Sequence, residues 1–245
     1  MDTRNDTILI TGGGSGIGKA MAEALHARGA KVIIAGRRRE ALEAVTAANS
    51  GMAFETLDVA DAADVKAFAA RVIAAHPDLN VVINNAGIMV AEDGIDLDIA
   101  EQTVAINLLG PIRLTAALLP HLKSKARASV VTVSSGLAFV PLAATPTYSA
   151  TKAAIHSWSQ SLRHQLQDTR VEVIEWGPPA VATDLMPGHA ENPNSMPLAE
   201  FTAESLALFE AGGHDEILVE RVKFLSGAAD RGEYAAVFAA LNGPR

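Results

Sequence analysis

The chain is 245 residues long, 49% apolar and 20% charged, which excludes a disordered chain and gives enough length to bury a sizeable core, read as a single domain over 1–245. A formal net charge of −8 and a pI near 5.3 argue against nucleic acid and anionic membrane as partners. With no cysteine, disulfides and thiolate metal sites are excluded. Without a signal peptide or an apolar run of about 18 residues, the expected location is cytoplasmic.

An apolar run at 7–10 leads into "TGGGSGIGKA", residues 11–20, and then into a helical segment at about 17–28. Read from Gly13, the stretch approaches a triphosphate loop, which requires a Ser or Thr after the lysine to hold Mg²⁺. That position is Ala20, so this reading fails. Read from Thr11, it leaves three residues between Gly12 and Gly16 and one before Gly18. A tight turn, close backbone approach to a pyrophosphate and close helix packing all use glycine in this way. An ordinary glycine-rich βα turn has the same appearance.

The next strand, 31–35, ends at Gly36 and is followed by Arg37, Arg38 and Arg39. In a dinucleotide fold this position meets the adenosine ribose, where an acidic residue suits NAD and arginine the 2′-phosphate of NADP. Cations at the start of the helical segment 39–48 oppose its dipole, and a bound phosphate would relieve that conflict. Arg37 is the first choice of contact and Arg38 the second. A solvated basic cluster is the alternative.

Further along come a helical segment at 61–75, a strand at 81–83 ending in Asn84 and Asn85, and a long helical segment at 98–123. Asn107 sits among apolar neighbours in that last segment, and its amide calls for a partner. A strand at 129–133 ends near Ser135. A helix at about 149–167 follows Tyr148 and carries Lys152 four residues on, on the same face. A neighbouring ammonium is expected to stabilise the phenolate and bring a phenol pKa near 10 toward neutrality. On the same helix Trp158, Leu162 and Leu166 form an apolar stripe that reads either as core or as a helix–helix interface. The seven histidines show no metal spacing, and His156 and His164 read as surface or interface residues. A strand at 171–174 follows. Strands alternating with amphipathic helices imply βαβ units and a parallel sheet.

The loop from Thr11 to Gly18, "LDV" at 57–59, "NNAG" at 84–87, Asn107, Ser135 and the Tyr148/Lys152 pair stand in the order and spacing of the short-chain dehydrogenase/reductase family. The chain resembles that family from about residue 7 to 184. The resemblance implies an α/β fold, one Rossmann-type doubly wound parallel sheet with helices on both faces. It implies that Tyr148 is the general acid in reduction and the base in oxidation. Lys152 would lower the Tyr148 pKa and bind the nicotinamide ribose, Ser135 would hold the substrate oxygen, and Asn107 would fix a water linking Lys152 to solvent. NADP(H) is the expected cofactor. It would be held by Thr11, Gly12, Gly14, Ser15, Gly16, Ile17 and Gly18, by Arg37 and Arg38, by Asp58 and Val59 at the adenine, and by Asn85, Ala86 and Gly87. Tyr148, Lys152, Pro178, Val181 and Thr183 would complete its site. The resemblance also implies a homodimer or homotetramer.

The family's Pro-Gly-x-Val-x-Thr stretch here reads Pro178-Pro179-Ala180-Val181-Ala182-Thr183. Pro179 loses an N–H and cannot take φ > 0. The double proline resembles the DltE-type oxidoreductase branch. Proline-rich residues 184–200 suggest a loop, taken as a substrate lid reaching to about 215. "EILVE" at 216–220 reads as a last strand, with a final helix from about 221. Pocket candidates Met89, Ser135, Leu137, Tyr148, Leu185 and Met186, with Val181, suggest a hydrophobic ketone or secondary alcohol. 3-Oxoacyl-carrier-protein reduction is the second reading, since such a carrier wants a basic docking surface and the tail is acidic. A non-catalytic NADP(H)-binding regulator would be expected to have lost Ser135, Tyr148 or Lys152.

Overall fold

The computed structural model describes residues 1–243. Seven strands are present: β1 (Thr7–Thr11), β2 (Lys31–Gly36), β3 (Ala53–Thr56), β4 (Val81–Asn84), β5 (Ala128–Val133), β6 (Val171–Trp176) and β7 (Glu216–Ile217). They form one parallel sheet in the order β3-β2-β1-β4-β5-β6-β7. Every residue of β1 and β5 is buried, as expected for parallel strands covered on both faces.

The two-residue period of the strands divides their side chains between two cores. Ile8, Ile10 and Ile34 point to one face, where they meet Met21 and Leu25 of α1 (Gly16–Ala27) and Leu42 of α2 (Arg39–Ala48). Leu9 and Ile33 point to the other, against Phe68 of α3 (Ala62–Ala75). A long helical run covers the same face, made of α4 (Leu97–Val104), a π-helical turn at Ala105–Leu109 and α5 (Gly110–Lys123). By length and a mean hydropathy of 1.4 in its most apolar window, Leu97–Lys123 has the composition of a membrane span. Leu114, Leu118 and Leu122 instead pack into the sheet. Leu162 and Leu166, on and just after α6 (Pro146–Gln165), are buried in this second core with Trp158 against it. The two leucines of the stripe are therefore core, and Trp158 is partly buried against them.

Four sequence expectations change. β3 falls outside the expected strands: its four residues, Ala-Phe-Glu-Thr, are all half-buried at the sheet edge and give no apolar run. The expected lid to about 215 is irregular at 212–215 and before residue 198. Between them α7 (Leu198–Ala211) buries Phe201, Leu206 and Phe209 in the first core. Trp176 stacks on Phe201 at 5.4 Å between centroids and donates from Nε1 to Ser205 Oγ at 3.0 Å. The expected last strand shortens to two residues. The helix expected from about 221 becomes a 3₁₀ turn at Glu220–Val222, one turn of α8 (Lys223–Ser226) and, later, α9 (Tyr234–Asn242).

Connections run from β1 toward β2 on one side and toward β4 on the other, so the strand order reverses between β1 and β4. In doubly wound sheets ligands bind in the crevice beyond the carboxyl ends of the strands at such a point.

Candidate active site

A cavity of about 1060 Å³ opens there, larger than the ~300–1,000 Å³ of common small-molecule pockets and able to hold two ligands together. Its floor is the turn after β1. Gly12 and Gly16 hold φ of +70° and +54°, conformations that favour glycine. A Cβ on Gly12 would stand 2.8 Å from Asn85 Nδ2. A Cβ on Gly18 would stand 2.5 Å from the Gly12 carbonyl oxygen, so Gly18 sets the approach of α1 to its own turn rather than lining the cavity. Ser15 stands at the N-cap of α1 but its hydroxyl accepts from none of the helix amides, and no acidic residue occupies the first turn. The N-terminal amides of α1 therefore face Gly14, Ser15, Gly16 and Ile17 of the wall as an unneutralised anion site.

Thr11 and Asn85 lock the floor in place. The Thr11 hydroxyl accepts from the Asn85 and Ala86 amides at 3.1 and 3.0 Å, and Asn85 Nδ2 donates to the Thr11 carbonyl at 2.9 Å. These polar groups hold the β1 and β4 loops together, leaving Asn85, Ala86 and Gly87 as cavity wall. At the β2 end, Arg37 and Arg38 line the cavity with Asp58 and Val59. Arg38 donates to Ser15 Oγ at 2.9 Å. Arg37 makes no hydrogen bond or ion pair with another described residue. Arg39 turns away, pairing with Glu43 at 3.1 Å and lying over Phe54.

The opposite wall comes from β5 and α6. Ser135 follows β5 and accepts from the Leu137 amide at 3.1 Å, opening a 3₁₀ turn at Gly136–Ala138. Pro146 at the start of α6 places Tyr148 in its first turn and Lys152 one turn later. Tyr148 is 7% exposed. Burial pushes its phenol up to about 12, opposed by a hydrogen bond from Ser135. Lys152 Nζ lies 5.5 Å from the Tyr148 ring centroid and donates to the Val133 carbonyl at 2.7 Å. Burial lowers the Lys152 pKa to about 8, while the Glu175 carboxylate opposes the shift. The expected depression of the phenol by Lys152 is thus reversed: desolvation prevails while the ammonium bonds to a backbone carbonyl.

Asn107 lies in the π-helical turn, 1% exposed. It finds its partner in the backbone of Ile88, accepting from the amide at 2.9 Å and donating to the carbonyl at 2.8 Å. Asn107 and Lys152 stand behind the wall. Gly87 separates them, since a Cβ there would be 3.3 Å from Asn107 Oδ1 and 3.8 Å from Lys152 Nζ. Pro178, Pro179 and Val181 form the roof, and the Pro178 carbonyl accepts from the Gly136 amide at 2.8 Å. Positive φ occurs only at glycines among the described residues, so the roof does not need the glycine that Pro179 replaces. Thr183 stands over the glycine turn, its Cβ 3.6 Å from the Cβ position of Gly16.

Met89, Leu137, Leu185 and Met186 line the remaining space. Sequence reasoning missed Leu142, His189, Arg221, Phe224, Leu225 and Leu241, which also face it. These come from irregular segments and the C-terminal helices, where no local pattern marks a pocket. Burial lowers the His189 pKa.

The doubly wound sheet and its crevice place the protein among the Rossmann-type α/β proteins. A family model described as short chain dehydrogenase matches residues 6–194, and the chain belongs to that family of oxidoreductases. Among curated proteins it is 39% identical over 249 residues to "Uncharacterized oxidoreductase DltE" of Bacillus subtilis (strain 168), covering 99% of this chain and 98% of that one. It is 32% identical over 196 residues to "Dehydrogenase/reductase SDR family member 7B" of Rattus norvegicus, covering 74% of this chain and 60% of the relative. Among solved structures, a short chain dehydrogenase from Burkholderia cenocepacia J2315 in complex with NADP superposes with a TM-score of 0.84, at 29% identity and full coverage of both chains.

Proposed function

We propose that the protein is an NADPH-dependent carbonyl reductase, equivalently a secondary alcohol dehydrogenase, acting on a hydrophobic small-molecule ketone or alcohol. The observation that carries this reading is a buried phenol lining the cavity where the glycine-rich floor meets an apolar wall. A bound nicotinamide cofactor would supply hydride for the carbonyl carbon. Gly14, Ser15, Gly16 and Ile17 would hold its diphosphate at the α1 N-terminus. Asp58 and Val59 would take the adenine, and Arg37 with Arg38 a 2′-phosphate. Pro178, Val181 and Thr183 would flank its nicotinamide end. The NADP bound to the Burkholderia relative supports this choice.

The chain's own residues would manage the proton. A phenol pushed up to about 12 stays protonated near neutrality, which suits a general acid poised for reduction. Tyr148 would give its proton to the substrate oxygen while Ser135 donates a hydrogen bond to the same atom. In the oxidative direction Tyr148 must lose its proton first, and the Lys152 charge would stabilise the phenolate. Asn107 would hold the Ile88 backbone and a water behind Lys152, through which the proton is replaced. Met89, Leu137, Leu185 and Met186 favour an apolar substrate body. The formal charge of −8 opposes docking of an acidic carrier protein, which ranks 3-oxoacyl-carrier-protein reduction second.

The test follows loss of the reduced cofactor's ultraviolet absorbance against a panel of hydrophobic ketones and diketones, with NADPH and NADH in parallel. Turnover by the wild type, abolished in Tyr148→Phe while cofactor affinity stays within about twofold, is the expected result. Activity retained by Tyr148→Phe overturns the assigned proton donor. NADPH bound tightly with no turnover in either direction favours the regulator.

A further inference from the structure

One turn beyond Lys152, and away from the cavity, α6 presents His156 to strands β6 and β7. Its Nδ1 lies 2.8 Å from Oε2 of Glu175. Glu175 on β6 is paired in register with Glu216 on β7. One donor atom from each of His156, Glu175 and Glu216 falls within 4.8 Å of the others. Glu175 is 0% exposed, and its Oε1 has no hydrogen-bond partner among the described residues.

That arrangement gathers two carboxylates around one imidazole. Carboxylates directly opposite on neighbouring strands repel, and a fully buried carboxylate with a vacant oxygen needs a cation or a donor. The nearby cations are committed elsewhere. Lys152 donates to the Val133 carbonyl. Arg163, two turns along α6, donates to the Val173 carbonyl at 2.9 Å and the Asp215 carbonyl at 2.8 Å, and its Nε lies 3.4 Å from Asp215 Oδ1. On the remaining side the Phe139 ring packs edge-on against His156 at 4.8 Å.

We propose that His156, Glu175 and Glu216 form a divalent-cation site of the histidine–carboxylate class, selecting zinc or a similar borderline transition metal, that joins α6 to the edge of the sheet behind Lys152. One imidazole nitrogen and two carboxylate oxygens from three elements form a mixed N/O donor set, which suits such ions and leaves a further position for water. The 2.8 Å spacing of His156 Nδ1 and Glu175 Oε2 is that of a hydrogen bond. Two ligands of one tetrahedral ion at ~2.0–2.2 Å each stand ~3.3–3.6 Å apart, so an entering ion would part the two atoms by roughly half an ångström. The Gln160 amide lies 3.2 Å from His156 Nε2. Turned to present its oxygen, it would accept the Nε2–H and fix the tautomer that ligates through Nδ1. The ion would tie down β7, which has only two paired residues. It would also neutralise the carboxylate whose field reaches Lys152.

The rival is a proton: a charged His156 could itself balance Glu175. The experiment titrates chelator-treated wild-type protein with Zn²⁺, Mn²⁺ and Mg²⁺, reading stoichiometry by calorimetry and stability by thermal melting. Co²⁺ serves as a spectroscopic probe of the ligand set. The expected result is one Zn²⁺ per chain, a raised melting temperature and weak Mg²⁺ binding. Glu216→Gln, at the half-exposed ligand, should weaken Zn²⁺ by about tenfold or more with the circular dichroism unchanged, and His156→Gln should do the same. No Zn²⁺ binding by the wild type overturns the site in favour of the protonated histidine. Binding unchanged in both variants overturns it equally. Neither readout depends on the proposed reductase activity.

Discussion

Lys152 sits where an ammonium is costly. Burial is the larger cause of its depressed pKa, with the Glu175 carboxylate opposing it, and the value falls from 10.5 to about 8. A shift of that size corresponds to roughly 3 kcal/mol of destabilisation at neutral pH. The folded pKa lies below the unfolded one. The penalty is therefore complete below about pH 8, shrinks as pH rises toward 10.5, and vanishes above it. Lys152→Met should melt a few degrees higher than the wild type near neutrality, even after the bond to Val133 is lost. The difference should close on alkaline titration, with turnover abolished throughout. A variant that melts lower at neutral pH would show that the Val133 and Glu175 interactions outweigh desolvation. Ser135, Tyr148 and Lys152 were legible in the sequence because helical spacing and strand ends bring them to one edge. Glu175 was not legible as their neighbour. It belongs to an apolar strand, and only the pairing of β6 with β5 sets it against α6.

At the scale of elements, the segment taken as a lid shows why local pattern misled. Residues 184–197 lack regular structure, apart from a bridge between Val181 and Met196. α7 follows directly on the last of their prolines, Pro197. Its apolar residues pack on Trp176, whose partners become visible only once β6 is placed under α7. Phe201→Ala should cost about 3–5 kcal/mol in denaturant unfolding, because Phe201 is fully buried against that indole. A residue of a mobile lid would change KM and leave the unfolding midpoint where it was. At the roof, Pro179→Gly should lower stability by about 0.4–1 kcal/mol, since the backbone there takes no left-handed conformation and the proline restricts the unfolded chain. A gain in stability instead would reveal strain at the double proline. The strands at 7–10, 31–35, 81–83, 129–133 and 171–174 were legible because burial on both faces requires continuous apolar runs. β3, a short and half-buried edge strand, leaves no such trace, and β7, expected over 216–220, keeps only its first two residues in the sheet.

Across the whole molecule, the parallel sheet delivers every strand's carboxyl end to one side, so residues far apart in the chain converge on a single crevice. The glycine turn, the arginines after β2, the amides after β4 and the Ser135–Tyr148 wall meet there, and the net charge of −8 surrounds it. In that acidic setting Arg37 and Arg38 are local positive groups facing the cavity, and Arg37 is free of partners among the described residues. A ligand that binds only the folded chain raises its stability by RT ln(1 + [L]/Kd), so melting temperature reports on cofactor choice without any substrate. NADPH at saturating concentration should raise the wild-type melting temperature more than NADH at the same concentration. Arg37→Ala should remove most of that difference while leaving the NADH shift nearly unchanged, because a 2′-phosphate gains a charge-assisted, bidentate partner that a 2′-hydroxyl does not use. Arg38→Ala should do less to the difference, since Arg38 already gives a donor to Ser15, and it should weaken both cofactors through the floor of the site. Equal losses for NADPH and NADH in Arg37→Ala would mean that the arginine acts on the fold of the α2 N-terminus rather than on the phosphate, and the preference for NADPH would then have to come from elsewhere in the crevice.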